Sequence, residues 1–437
     1  MWAWQSPSLR IYTFVIITRF MPLRKEQLCD KICSVRGSDF GDISVSPAKG
    51  RCSGIKSKRQ KIKEFFNRAD MFLFCICMIC AIFGITMVYI AGKGMYEGGW
   101  DIASPSKLVF VQVLSMFLGI VAFIVLTVFD ADLLADQWKW LCILNVALIV
   151  ALVIFGQDDG TGNKSWIRFA GIGIQPSEVI KVIYIIVSAK QMTYLKEYRD
   201  INAFTSLVQM AVHFLAVFGM IVVVSSDLGS ATIILGIFLL MLFAAGVKLY
   251  WFAAGFAAVA AAIPLLWNYF LKDYQKKRLV APYDPSVDPT GYGITWQTTQ
   301  SKMSLASGRM TGVDSEHATT IFTGKHTDFI FASIGETLGM IGCLVVILLL
   351  VVIIVHCVRV GLHSGRTFDM LICVGVASAV TIQTLINIGM CIGITPVIGI
   401  TLPFFSYGGS SMMTMFAAMG LVSGVKYKPK PQLFSMY

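Results

Sequence analysis

Gly324-Lys325-His326-Thr327-Asp328-Phe329-Ile330-Phe331 is where the reading of this chain turns, because a polar segment rich in titratable side chains runs there straight into an apolar helix. Downstream, Phe331–His356 is mainly apolar and carries Glu336 as its acid, and a helix needs about 20 mainly apolar residues to span a bilayer. Working outward, the same pattern recurs at Met71–Ala91, Leu108–Phe129, Trp140–Phe155, Pro176–Ala189, Leu207–Val224, Leu228–Ala245, Tyr250–Phe270, Met370–Ile392 and Gly408–Val425. The fold expected is therefore an all-α polytopic membrane protein, a bundle of about ten transmembrane helices with one large extracellular loop. Of the 437 residues, 56% are hydrophobic and 14% charged, against about 25% charged in soluble domains. Most of the chain must then be solvated by lipid.

The net charge of +11 does not imply nucleic acid. Lys139, Lys196, Arg199, Lys248, Arg359, Arg366, Lys426, Lys428 and Lys430 fall on alternate linkers and the tail, as the cation excess of cytoplasmic segments requires. With the N-terminus inside, both termini are cytoplasmic. Residues 1–68 form a basic, flexible arm, 69–426 the membrane domain and 427–437 a cytoplasmic tail. Most cysteines lie in apolar runs, where they pack as small hydrophobes. Cys29, Cys33 and Cys52 in the arm lack a fourth ligand and the spacing of a zinc site, so no metal-ligating set is read.

Three outer segments remain: Gly156–Gln175, Leu271–Ile330 and Gly393–Tyr407. Structureless loops beyond about 12–15 residues are uncommon unless they work, which makes the second the leading place for a site. Locally, Thr327 or Asp328 is best read as the cap of the helix that follows. The sharper reading makes Asp328 a general base, tuned or oriented by His326. Glu336 lies about 12 Å deeper at 1.5 Å per residue. An acid at that depth faces the bundle interior, and Lys181, one turn beyond Glu178, is its expected partner. Asp227 reads as the cap of the helix from Leu228. Lys276-Lys277-Arg278 is either a solvated face or a contact for pyrophosphate. Trp166, between Lys164 and Arg168, reads as an interfacial anchor. Gly408-Gly409-Ser410-Ser411 could offer free N–H groups to an anion or simply allow close helix packing. No Walker A loop, dinucleotide fingerprint or HExxH motif is present.

The motifs go further when taken together. Lys164-Ser165-Trp166-Ile167, Gln175-Pro176-Ser177-Glu178, Asp227-Leu228-Gly229-Ser230-Ala231, Gln300-Ser301, His326-Thr327-Asp328-Phe329-Ile330-Phe331 with Gly335-Glu336, and Thr395-Pro396-Val397 through Leu402-Pro403-Phe404 to Ser406-Tyr407-Gly408-Gly409-Ser410-Ser411 resemble, in order, the SEDS family of FtsW, RodA and SpoVE. The resemblance runs from about Phe72 to Val425. It implies a ten-helix peptidoglycan glycosyltransferase that polymerises lipid II outside the cytoplasmic membrane. Its implied partners are a class B penicillin-binding protein and the division or elongation machinery. Asp328 matches the family's essential acid, Trp166 its sensitive tryptophan, and Glu178, Lys181 and Glu336 its intramembrane polar positions. Lys164, Arg168, Arg278, His326, Gln300, Ser301 and Ser410 are the accompanying substrate-binding candidates, and Mg2+ or Mn2+ is a possible assisting cation. The chain departs from the family pattern at several positions. Thr323-Gly324 with Lys325 replaces the Pro-Glu that often precedes His-Thr-Asp, and Thr337 replaces a second glutamate. Ser225-Ser226 stands before Asp227, and the glycine run after Gln-Ser is thinned to Gly308 and Gly312. Two other functions fit such a bundle: a lipid II flippase, or a scaffold for the penicillin-binding protein.

Overall fold

The computed structural model describes residues 65–99, 103–156, 165–169, 172–313 and 321–428. The basic arm, its cysteines and Lys164 lie outside these residues. All ten expected stretches are helical: α1 (Met71–Glu97), α2 (Pro105–Val128), α4 (Trp138–Phe155), α5 (Pro176–Tyr198), α6 (Phe204–Met220), α7 (Leu228–Ala245), α8 (Leu249–Leu265), α11 (Ile330–Leu362), α12 (Thr367–Ile392) and α13 (Gly409–Tyr427). A short α3 (Ala131–Asp136) joins α2 to α4. Eight helices, α6 and α8 with their wider last turns included, are long and apolar enough to cross a membrane. The two that fall short, α5 and α13, carry polar residues that the bundle itself buries: Glu178, Lys181 and Ser188 on α5, Ser410, Thr414 and Ser423 on α13. They meet protein rather than lipid, so apolarity is not demanded of them.

Helix α13 packs most closely on α2. Small residues permit it, since a Cβ on Gly420 would stand 2.7 Å from the Phe123 carbonyl and one on Gly409 2.7 Å from Ser115 Oγ. Without a hydrophobic drive between helices in lipid, such close approach is what holds them. At the other extreme, α8 buries none of its residues.

The end of the bundle away from the long loop is laced by ions. Arg366 donates both Nη atoms to Asp132 at 2.9 Å, Lys428 reaches Asp130 at 2.6 Å and Asp132 at 3.1 Å, and buried Asp70 takes His356 at 2.7 Å and Lys426 at 3.1 Å. Three of the cations expected on alternate linkers and the tail, Arg366, Lys426 and Lys428, thus gather at one end.

The long segment between α8 and α11 is not structureless. It holds α9 (Asp273–Val280), a 3-10 turn (Pro285–Val287) and α10 (Trp296–Ser307), and α10 packs along the start of α11. There α11, read from sequence as one apolar run, is broken. Gly339 adopts φ 67°, ψ −165°, a region open essentially to glycine. The N–H groups freed by the break donate to loop carbonyls, Met340 to Arg309 at 2.9 Å and Ile341 to Met310 at 3.3 Å.

The same contact corrects the expected Glu336–Lys181 pair. Lys181 is satisfied within its own helix, donating to Glu178 Oε1 at 2.8 Å. Glu336, on the piece of α11 before the break, faces the loop and pairs with buried Lys325, while Ser304 of α10 donates to its Oε2 at 2.6 Å. The loop cation is within reach because α10 lays the loop along the first turns of the helix that follows it.

Two predictions follow from this junction. Gly339→Ala adds a β-carbon that collides with the Met310 carbonyl and forces a conformation costing about 1–3 kcal/mol. Its melting temperature in detergent should fall clearly; an unchanged value would mean α11 is not broken there. Glu336→Gln removes the carboxylate from a buried ion pair, at a cost of about 3–5 kcal/mol, and the double change Lys325→Met/Glu336→Met should regain much of that. Equal melting temperatures for single and double variants would refute the pairing.

Candidate functional site

At the loop end lies a cavity of about 730 Å³ whose wall draws on all three polar segments. Trp166, Arg168 and Gln175 come from the first, Thr327 and Asp328 from the second, and Gly399, Thr401 and Tyr407 from the third. Below them Glu178 of α5, Asp227 and Ser230 at the start of α7, and Gln383 of α12 add further polar lining.

The first segment is shaped by a hairpin that helical periodicity does not reveal. β1 (Ile167–Phe169) pairs antiparallel with β2 (Ile172–Ile174), Arg168 opposite Gly173. Trp166 packs over Gly173, where a Cβ would stand 3.0 Å from its ring. The tryptophan is therefore a wall of the cavity, which corrects its reading as an interfacial anchor: the hairpin folds the ring inward over a residue with no side chain. Ser410 fastens the hairpin to α13, donating to the Gly173 carbonyl at 3.1 Å and accepting from the Gln175 N–H at 2.9 Å.

Asp328 does not cap α11, and neither does Thr327. The N-cap is Phe329, without a side-chain hydrogen bond. A turn at Gly324 (φ 84°) brings the N–H groups of Thr327 and Phe329 to the Gly324 carbonyl at 3.1 and 3.0 Å, and Thr327 Oγ1 donates back to it at 3.3 Å. The carboxylate is left to face the cavity, opposite Gly399, where a Cβ would stand 3.8 Å from Oδ2. The backbone around it is held by others. Asn387 Nδ2 donates to the carbonyls of Asp328 and Ile400, each at 2.7 Å, and the Tyr407 N–H donates to the His326 carbonyl at 3.0 Å.

Enclosure by protein, and secondarily the charge of Asp227, push the Asp328 carboxyl up to about 6. Burial lowers His326 to about 4, so it is neutral at pH 7. Its Nδ1 has no partner and its ring lies 5.6 Å from that of Tyr407. No hydrogen bond joins His326 to Asp328 among the described residues. Asp227 caps α7 as expected, accepting from Ser230 N at 2.9 Å. Its second oxygen takes Ser230 Oγ at 2.7 Å and Gln175 Nε2 at 3.1 Å.

The remaining sequence candidates fall away from the cavity wall. Arg278 lies 5.9 Å from the Tyr274 ring and lines two small clefts of about 30 and 70 Å³. Ser301 is buried and donates to the Cys391 carbonyl at 2.9 Å, and Gln300 is half-buried on the same helix. Among the described residues no three His, Cys, Asp or Glu side chains converge as a metal cage. Sequence reasoning passed over Gln383 and Asn387, although amides one turn apart in an apolar span are themselves a signal.

Comparison with known proteins agrees with this architecture. The chain is 30% identical over 383 residues to a probable peptidoglycan glycosyltransferase FtsW of Geobacter metallireducens, covering 84% of this chain and 97% of that one. It is 29% identical to the peptidoglycan glycosyltransferase MrdB of Escherichia coli K12 (83% and 95% covered) and 29% identical to the stage V sporulation protein E of Bacillus subtilis (82% and 96%). Among solved structures, a chain of a peptidoglycan synthase complex that coordinates polymerization and crosslinking superposes with TM-score 0.68 at 26% identity, covering 82% of this chain and 97% of that one. The Thermus thermophilus rod shape determining protein RodA shares the fold, with TM-score 0.60 at 21% identity and coverage of 82% and 96%. Residues 70–430 match the profile of the FtsW/RodA/SpoVE cell cycle proteins, and the chain belongs to that family.

Proposed function

We propose that this protein is a peptidoglycan glycosyltransferase that polymerises lipid II at the outer face of the bacterial cytoplasmic membrane. All ten long helices cross in this reading, both termini are cytoplasmic, and the loop end faces outward. The observation that carries the reaction is the Asp328 carboxyl, poised near neutrality on a cavity built from three polar segments. A general base works best with a pKa near the operating pH.

In its ionised form Asp328 accepts the proton of the GlcNAc 4-hydroxyl of an acceptor. The oxygen attacks the anomeric carbon of the lipid-linked donor as the bond to diphosphate breaks, and undecaprenyl diphosphate leaves with inversion. Charge developing on that leaving group needs a cation. Arg168 is the arginine on the cavity wall, ahead of Arg278, which lies outside it. A divalent cation such as Mg2+ or Mn2+ would be held by the substrate diphosphate with one or two carboxylates; Asp328, Asp227 and Glu178 line the cavity, and Glu178 is already paired with Lys181. A class B penicillin-binding protein in the membrane is the partner that would crosslink the strands, in division or elongation.

Purified protein supplied with its partner and labelled lipid II tests the reading. Glycan strands should form, and Asp328→Asn should abolish them while Thr323→Ala does not. Because Asp328 has a raised pKa in the folded protein, folding favours its neutral form. That contribution is full at low pH and is lost as pH rises from its ordinary value of 3.8 through about 6. Asp328→Asn should therefore melt no lower than wild type at pH 7. Lipid scrambling without strands would instead mark a flippase, and partner binding without either activity a scaffold.

The pH profile gives a second test. Activity requires the carboxylate, so kcat/KM should fall with acid through about pH 6. Asp227→Asn keeps a capping residue but removes the neighbouring charge, so the acid limb should move to lower pH. A limb unmoved by that change would exclude the assigned pairing of the two acids.

A further inference from the structure

The cavity floor holds a polar group that the reaction above leaves unused. Gln383 of α12 is 1% exposed, lines the cavity, and its Oε1 has no hydrogen-bond partner. The other buried amides of this region are spent on structure. Gln112 donates to the Ser406 carbonyl at 3.0 Å and accepts from the Gly408 N–H at 3.2 Å, and Asn387 donates to two carbonyls; its Oδ1 also lacks a partner, but Asn387 does not line the cavity. An enclosed carbonyl oxygen without a donor costs about 1–3 kcal/mol. That loss is offset when a ligand brings the donor.

Position narrows what the donor is. Gln383 lies one helical turn, about 6 Å, deeper than Asn387, which holds the backbone of Asp328. Both residues line one cavity, so a sugar whose 4-hydroxyl meets the Asp328 carboxylate can turn its C2 edge to the carboxamide. A carboxamide has one acceptor and two donors, which complement the N–H and C=O of an acetamido group. Charged partners are turned elsewhere: Lys181 is held by Glu178, and Asp227 is occupied by Ser230 and Gln175.

We infer that Gln383 is a substrate-positioning residue that reads the acetamido group of the acceptor amino sugar, its Oε1 accepting from the acetamido N–H. The assignment rests on the glycosyltransferase reading and adds a specificity element to it. No bond changes at Gln383; it fixes the ring so that one hydroxyl meets Asp328.

The test pairs binding with turnover in the full-length protein with its partner. Lipid II and an analogue with hydrogen in place of the GlcNAc acetamido group are compared by ligand-induced melting shift and by strand formation. Wild type should prefer lipid II about 10- to 100-fold, the worth of one buried hydrogen bond. Gln383→Met, of similar volume but apolar, should bind both lipids equally and lose turnover on lipid II by the same factor. Its melting temperature without ligand should equal or exceed that of wild type. A purely structural role predicts the opposite, a lower melting temperature with the preference intact, and would overturn the inference. So would a wild type that binds the two lipids alike. Binding preference without strands from wild type would sink the polymerase reading and leave Gln383 as the acetamido reader; strands without preference would do the reverse.

Discussion

The site depends on one side chain inside the membrane bundle. Asn387 splits its amide hydrogens between the carbonyls of Asp328 and Ile400, both at 2.7 Å. Neither acceptor is a side chain, so the tether is indifferent to which residues stand at those positions and fixes only the path of the backbone. Buried carbonyls left without donors are expensive, so the second and third polar segments are pinned to α12 and to each other. The Tyr407–His326 backbone bond repeats the tie, and Ser410 extends it to the hairpin. Segments lying far apart in the chain thereby share one cavity, with a carboxylate carried on a loop but held by helices.

What the sequence makes legible is what local chemistry decides. Eight apolar runs are helices because lipid leaves backbone groups no other partner, and Pro176 and Asp227 mark helix starts where their side chains suit a first turn. Pairing across the fold is not legible in this way. Lys181 and Lys325 are both buried cations, and spacing alone favours neither as the partner of Glu336. The choice is made by α10, which presses the loop onto the first turns of α11, and α10 itself lies in a stretch too polar to announce a membrane helix. The break at Gly339 is hidden for the converse reason: an uninterrupted apolar run shows hydropathy but not φ.

The departures from the family pattern become intelligible at this junction. With Gly324 and Thr337 the chain lacks two acids, and Lys325 adds a cation, which pairs with the remaining Glu336. Gly308 and Gly312, all that is left of the glycine run in this stretch, stand against the carbonyls of Gly335 and Thr337. A side chain at either would push α10 off the broken helix. The glycines retained are those the contact requires.

Of the three acids lining the cavity, Glu178 is held by Lys181 and Thr414, and the other two show how one of them becomes the base. Asp227 has both oxygens engaged by donors from Ser230 and Gln175, and it terminates a helix that cannot do without the cap. Asp328 is fastened only through its backbone, and its carboxyl is pushed toward neutrality by enclosure and by the neighbouring Asp227. Structural duty and chemical freedom are thus divided between like groups. The acid that is tied down supplies a fixed negative field, and the acid released from capping by the turn at Gly324 is the one whose proton can move. Had Asp328 capped α11 as its local sequence suggests, its carboxylate would have been committed to N–H donors and its pKa driven down, leaving the cavity without a base near neutral pH.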